Sequence, residues 1–150
     1  MAGLEEIQGN HEAAITQYDA LLTEQPGSFV IMNNLASLLS DYRSDQASLD
    51  RAHALAVSLT KTEVPQFKDT LGWIQYRQGD FKSAIELLEA AQQALPNLAL
   101  VRYHLGMSYL AAGEKAKATE QLKKALELLP TSGGVAEDDI KSGLQKAGAT

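Results

Sequence analysis

Leu71-Gly72-Trp73-Ile74-Gln75-Tyr76-Arg77-Gln78-Gly79 and Leu105-Gly106-Met107-Ser108-Tyr109-Leu110-Ala111-Ala112-Gly113 decide how this chain folds. Both stretches open on Leu-Gly and close on Gly, and they lie 34 residues apart. The agreement continues outward through Ala84 and Ala118, Glu86 and Glu120, Leu88 and Leu122, Ala91 and Ala125, Leu95 and Leu129, and Pro96 and Pro130. Nine identities result between 65–98 and 99–132, where average composition gives about two by chance. A period of this length marks a helix-turn-helix unit that stacks into an array.

Physical chemistry accounts for the recurring residue types within each unit. Phe67, Leu71 and Ile74 recur at helical spacing and share one face. Gly79 then breaks that helix, as a C-terminal residue free to take a positive φ. A second amphipathic stretch carries Ala84, Ile85, Leu88, Ala91 and Leu95, and Pro96 stops it. The next unit repeats the plan with Val101, Leu105 and Tyr109, then Gly113, then Ala118, Leu122, Ala125 and Leu129, with Pro130 as the expected stop. Gly72, Gly106, Ala84 and Ala118 fall where two helix axes approach closely. After Pro130 the reading is a loop over 131–134 and a final helix over 136–147, acidic at its start and basic towards its end as the helix dipole prefers. A polar terminal helix is the usual way to close such a stack.

This pattern resembles the tetratricopeptide repeat, whose signature runs aromatic-x2-Leu-Gly-x2-Tyr, then Gly, Ala, an aromatic or Leu, Ala and Pro. Residues 99–132 supply Leu105-Gly106, Tyr109, Gly113, Ala118, Leu122, Ala125 and Pro130, with Arg102 in the aromatic position. Residues 65–98 supply Leu71-Gly72, Gly79, Ala84, Leu88, Ala91 and Pro96, with Lys68 in the aromatic position and Gln75 in the Tyr position. Gly9, Ala14, Tyr18 and Pro26 fit the second half of a partial repeat over 1–28, and 29–64 reads as a degenerate repeat. The turn over 42–46 of that degenerate unit has about two extra residues and no Gly. The resemblance implies a single domain over 1–150, all-α, a right-handed solenoid of antiparallel helix pairs. Asn33-Asn34-Leu35-Ala36, Asp69-Thr70-Leu71-Gly72-Trp73 and Arg102-Tyr103-His104-Leu105-Gly106 are also similar to the last repeats of bacterial tetratricopeptide lipoproteins. Those accompany exopolysaccharide export and PEP-CTERM protein sorting. A periplasmic location follows if that narrower resemblance holds, and a cytoplasmic one is the default otherwise.

Composition narrows the function classes. The chain has 150 residues, 45% hydrophobic and 21% charged, with no Cys and a net charge of −6. No disulfide framework or Cys-based zinc site is available. The acidic balance argues against a nucleic-acid partner. No stretch approaches the ~20 apolar residues of a membrane span, and Met1-Ala2-Gly3-Leu4-Glu5-Glu6 lacks a secretory signal. The charge is uneven: residues 1–42 hold six acidic side chains and no Lys or Arg, whereas the remaining 13 acids and 13 bases balance over 43–150. That end therefore reads either as acidic solvated helix faces or as a patch that selects a basic partner.

No catalytic constellation emerges. His11, His53 and His104 fall in three different repeats and share no metal-ligand spacing. Gly133-Gly134 lacks the Lys-Ser/Thr of a phosphate loop, and Gly106-Met107-Ser108-Tyr109-Leu110 fails the nucleophile-elbow pattern at its last residue. The expectation is therefore a non-enzyme without cofactor or metal. Recognition is the alternative, since stacked helix pairs leave a concave surface lined by the first helix of each unit. The tetratricopeptide resemblance assigns Asn33, Asn34, Asp69, Trp73, Arg77, Tyr103, His104 and Met107 to that lining. Trp73 and Tyr103 are the expected anchors, because aromatic side chains bring large rigid contact area with a polar handle. Asn33 and Asn34 suit the backbone of an extended peptide.

The expected function is a protein-protein interaction scaffold for a peptide or partner domain. Two alternatives stand beside it: a regulatory or substrate-positioning module of a larger enzyme or envelope export assembly, and a self-associating module. Because the repeat pattern opens mid-unit, the sequence suggests an excised piece of a longer array and a homo-oligomer formed through the open N-terminal end.

Overall fold

The computed structural model describes residues 10–148. Among them the secondary structure is helical throughout, and the chain divides into two compact units, one up to Gln78 and the other from Gly79. The first unit contains α1 (His11–Glu24), α2 (Phe29–Tyr42), α3 (Gln46–Leu59), a short 3-10 turn at Thr60–Thr62, and α4 (Pro65–Gln78). The second contains α5 (Phe81–Ala94), α6 (Ala99–Ala111), α7 (Lys115–Ser132) and α8 (Glu137–Lys146). Gly9, placed by the repeat pattern in the first turn, lies outside the described residues.

Local chemistry sets the helix ends. Asn10, Ser28, Asp45 and Asp80 cap α1, α2, α3 and α5, each side chain accepting from the backbone N–H three residues on. The turn after α2 lacks a glycine, and Asp45 supplies the punctuation there: its carboxylate accepts from Ser48 N at 3.0 Å. These bonds to Ser48 hold the Asp45 carboxyl below its ordinary pKa. Gly79 and Gly113 take the expected left-handed turns, at φ 89° and 85°.

In the first unit each helix packs on the next, and the first helices α2 and α4 also touch directly. The second unit repeats the plan with α6 and α8. Small residues sit at the crossings: Ala14, Ala36, Ala52, Ala56, Ala84, Ala91, Ala118 and Ala125 are fully buried. Gly106 marks another close approach, since a Cβ there would stand 2.8 Å from Leu122 Cγ. The architecture is the all-α, tetratricopeptide-type solenoid class that the period of 34 predicts.

Pro130 behaves differently from the sequence expectation. Pro96 lies beyond the end of α5 at Ala94, as expected, but α7 runs through Pro130 to Ser132. The segment read as a loop from Thr131 therefore begins only at Gly133, which has φ 62°. Proline forfeits one hydrogen bond close to a helix end, where few further turns depend on it. The extra turn also has a use. Ser132 Oγ accepts from Ala99 N at 2.9 Å, at the start of α6, a helix whose own N-cap, Leu98, makes no side-chain hydrogen bond. The final helix keeps its expected place and charge order, Glu137, Asp138 and Asp139 leading and Lys146 trailing.

Candidate partner-binding surfaces

In the first unit, α2 and α4 bring Asn33, Asn34, Asp69, Trp73 and Arg77 onto adjoining helices. Four of these side chains already make hydrogen bonds within the unit. Thr70 Oγ1 donates to Asn33 Oδ1 at 2.6 Å, and Asn34 Nδ2 donates to the Tyr18 hydroxyl of α1 at 3.4 Å. Trp73 Nε1 donates to Asp41 Oδ1 at 2.9 Å, and Arg77 Nε to the Ser40 carbonyl at 2.8 Å. The Trp73 ring lies on Tyr76 with centroids 4.5 Å apart and planes 13° from parallel. Burial pushes the Tyr76 hydroxyl pKa up, with Arg77 pulling against it. Trp73, Tyr76 and Arg77 all remain partly exposed. Asp69, expected in the lining, is instead buried at 7% exposure.

Two ion pairs tie α1 to the end of α2 and to α3. Arg43 grips Glu12 through Nε at 3.2 Å and Nη2 at 2.7 Å, and Arg51 grips Asp19 through both terminal nitrogens. The Arg43 guanidinium holds the Glu12 carboxyl below its ordinary pKa. Beside the first pair, His11 stacks on Tyr42 with centroids 3.4 Å apart. The acidic run over 1–42 is thus partly neutralised: Glu12 and Asp19 are salt-bridged, and Asp41 accepts from Trp73. Among the described residues this is not a bare acidic patch. The sequence signal lay in spacing, because these complementary partners stand 31, 32 and 32 residues apart, just short of one repeat.

In the second unit the expected lining is largely covered. His104 is buried at 7% exposure. Tyr103 and Met107 pack on the core formed by Ala99, Leu122, Ala125 and Ile140. Ile140 belongs to α8, and a Cβ on Gly143 of that helix would come within 3.0 Å of Met107 Sδ. The Tyr103 and His104 rings meet at 6.0 Å, tilted by 50°. Arg102, standing where the family has an aromatic, forms a clasp: Nε donates to the Pro96 carbonyl and Nη1 to Gln121 Oε1, each at 3.1 Å. Tyr109 donates its hydroxyl to Glu89 Oε2 at 2.6 Å, and burial together with that carboxylate raises its pKa strongly. Among the described residues, no three His, Cys, Asp or Glu side chains are grouped to hold a metal ion, and no helix is long and apolar enough to cross a membrane.

Comparison with known proteins agrees with the repeat geometry. Residues 75–134 match the family model for the tetratricopeptide repeat. A search of curated proteins gives no match. Among solved structures, the thermophilic tetratricopeptide protein TTC0263 of Thermus thermophilus aligns with a TM-score of 0.71 at 21% identity, over 97% of this chain and 86% of that one. MamA aligns at 0.65 and 20% identity, over 98% and 92%. The tetratricopeptide domain of Sgt2 from Aspergillus fumigatus aligns at 0.63 and 17% identity, over 77% and 76%. The fold, the period and the matched model define an all-α helical-repeat protein. Residues 75–134 are similar to the tetratricopeptide repeat, and the solved structures share the fold over most of the chain.

Proposed function

We propose that the chain is a non-catalytic protein-interaction scaffold whose recognition surface lies on α2 and α4 and takes an extended peptide segment. The carrying observation is the Trp73–Tyr76 stack, partly exposed and fixed in place by Asp41, with Arg77 tied beside it to Ser40. A rigid aromatic pair next to a cation loses little conformational freedom on binding, which is how anchor residues produce affinity. Asn33 uses its carbonyl on Thr70 and keeps amide donors, whereas Asn34 uses its amide on Tyr18 and keeps a carbonyl acceptor. Together they offer the donor and acceptor that a peptide backbone requires. Tyr103 and Met107 support this surface less, since they contribute to packing in the second unit.

Trp73 is the sole tryptophan and therefore a built-in reporter. Peptides selected by display on the intact chain are expected to shift Trp73 emission on binding. Arg77→Ala should weaken them about tenfold or more with little change in helicity. Selected peptides that leave the emission unchanged and bind Arg77→Ala as tightly as wild type would overturn the reading.

A further inference from the structure

Arg77 stands apart from the other two arginines of the first unit. Arg43 and Arg51 each grip a carboxylate through two nitrogens, whereas Arg77 holds only the Ser40 carbonyl, through Nε. Among the described residues its terminal nitrogens make no ion pair and no hydrogen bond. Asp41, which follows Ser40, accepts from Trp73. A partly buried guanidinium with its two-pronged edge open is matched best by a carboxylate, which accepts from both prongs at once.

The other end of the same face is apolar. Asn33 meets Thr70 and Ser40 meets Arg77, both pairs 37 residues apart, so α2 and α4 run parallel. At the start of α2, Val30 is 67% exposed and Phe29 beside it is exposed too. Val30 lies on one stripe with Asn33 and Asn34, three and four residues on. The face therefore runs from an apolar end, past two amides, to Arg77. Ser40 stands ten residues beyond Val30, about 15 Å along the helix. Four to five residues of extended chain span that distance at ~3.3 Å each. Resting on the peptide surface proposed above, we infer that its ligands are segments in which a Glu or Asp side chain meets Arg77 and an apolar side chain, four to five residues away, covers Val30 and Phe29. A chain of net charge −6 exerts no long-range pull on an acidic segment, so the preference for an acid rests on the Arg77 contact.

The test is selection of displayed peptides on the full chain, each peptide fused at its C-terminus so that no terminal carboxylate is offered. Wild type should enrich Glu or Asp four to five positions from an apolar residue. Arg77→Glu should exchange that acid for Lys or Arg and keep the apolar residue. Val30→Asp should keep the acid and lose the apolar preference. Circular dichroism checks that each variant is folded; should Arg77→Glu fail to fold, Arg77→Gln should lose the acidic preference. Replacing the Glu of a selected peptide by Gln should weaken its binding to wild type about tenfold or more. Peptides that shift Trp73 emission but carry no acid at that spacing, or that Arg77→Glu binds unchanged, overturn the inference and leave the peptide surface standing. Binders that leave Trp73 emission unchanged and bind Arg77→Ala as tightly as wild type overturn the surface itself, and the inference with it.

Discussion

In the first unit, the neighbouring first helices α2 and α4 are joined by polar ties: Thr70 to Asn33, Trp73 to Asp41 and Arg77 to Ser40. In the second, the corresponding pair α6 and α8 is joined by apolar packing, with Tyr103 and Met107 against the core that includes Ile140. Met107 stands one repeat of 34 residues after Trp73, so equivalent positions of one motif serve two ends. Where a hydrogen-bonded indole sits, the surface stays partly open and oriented. Where a thioether sits, a terminal helix covers it. The repeat signature constrains the small and aliphatic residues of the shared core and leaves these lining positions free to diverge, which is where function can be written without disturbing the stack.

The largest expected effect lies in what the two units share. Gly106→Leu would drive a side chain into Leu122, whose Cγ already lies 2.8 Å from the site of a bare Cβ, and should cost about 3 kcal/mol or more by overpacking. Denaturant unfolding checks this, and an unchanged midpoint would contradict the close approach. Gly143→Ala sharpens the point where α8 covers α6. Its Cβ would meet Met107 Sδ at 3.0 Å and Leu122 Cδ1 at 3.1 Å. A flexible thioether can yield, and alanine gains helix propensity, so the net change should stay within about 1 kcal/mol.

Those glycines also show what the sequence could reveal. The period of 34, the helix pairs and the close approach at Gly106 were legible because small residues and leucines at fixed offsets have one structural explanation. The extension of α7 past Pro130 was not, because a proline near a helix end costs one hydrogen bond and Ser132 finds Ala99 N only in three dimensions. The environments of the expected lining residues were not legible. Asp69 and His104 lie buried, and helical period alone does not show that α8 packs over the α6 face that carries Tyr103 and Met107.

Next in size is Tyr109, whose hydroxyl donates to Glu89 at 2.6 Å. Tyr109→Phe should cost about 2 kcal/mol, since a hydrogen bond to a charged acceptor is lost and the carboxylate is left partly buried. The pH dependence has a definite sign. The folded-state pKa of Tyr109 is raised above the ordinary 10.0, so its contribution is fully present below pH ~10 and is lost as pH rises through the folded value. Wild type should therefore lose stability in strong alkali more steeply than Tyr109→Phe. Parallel alkaline profiles for the two would remove Tyr109 as the cause.

Trp73→Phe tests the polar side of the comparison. It removes the indole N–H from Asp41 and keeps a ring to stack on Tyr76. A loss of about 1 kcal/mol is expected, because the bond is partly exposed and water can replace it at Asp41. A cost as large as that of Gly106→Leu would mean that the tie is a core element and not an orienting one.

The smallest effect belongs to the Arg43 and Glu12 pair, whose short bidentate geometry makes it look strong. Glu12 is well exposed, with 67% of its side-chain surface accessible, so water and salt screen the attraction. A double-mutant cycle on Glu12→Gln and Arg43→Gln should return a coupling far below the cost of Gly106→Leu, shrinking further as salt is added. The carboxyl pKa is lowered by Arg43. Its contribution is therefore present above the ordinary carboxylate range and lost as pH falls through the lowered value. A coupling that survives molar salt would show that the adjacent His11–Tyr42 stack shields the pair, making the α1–α2 junction more rigid than its charges alone require.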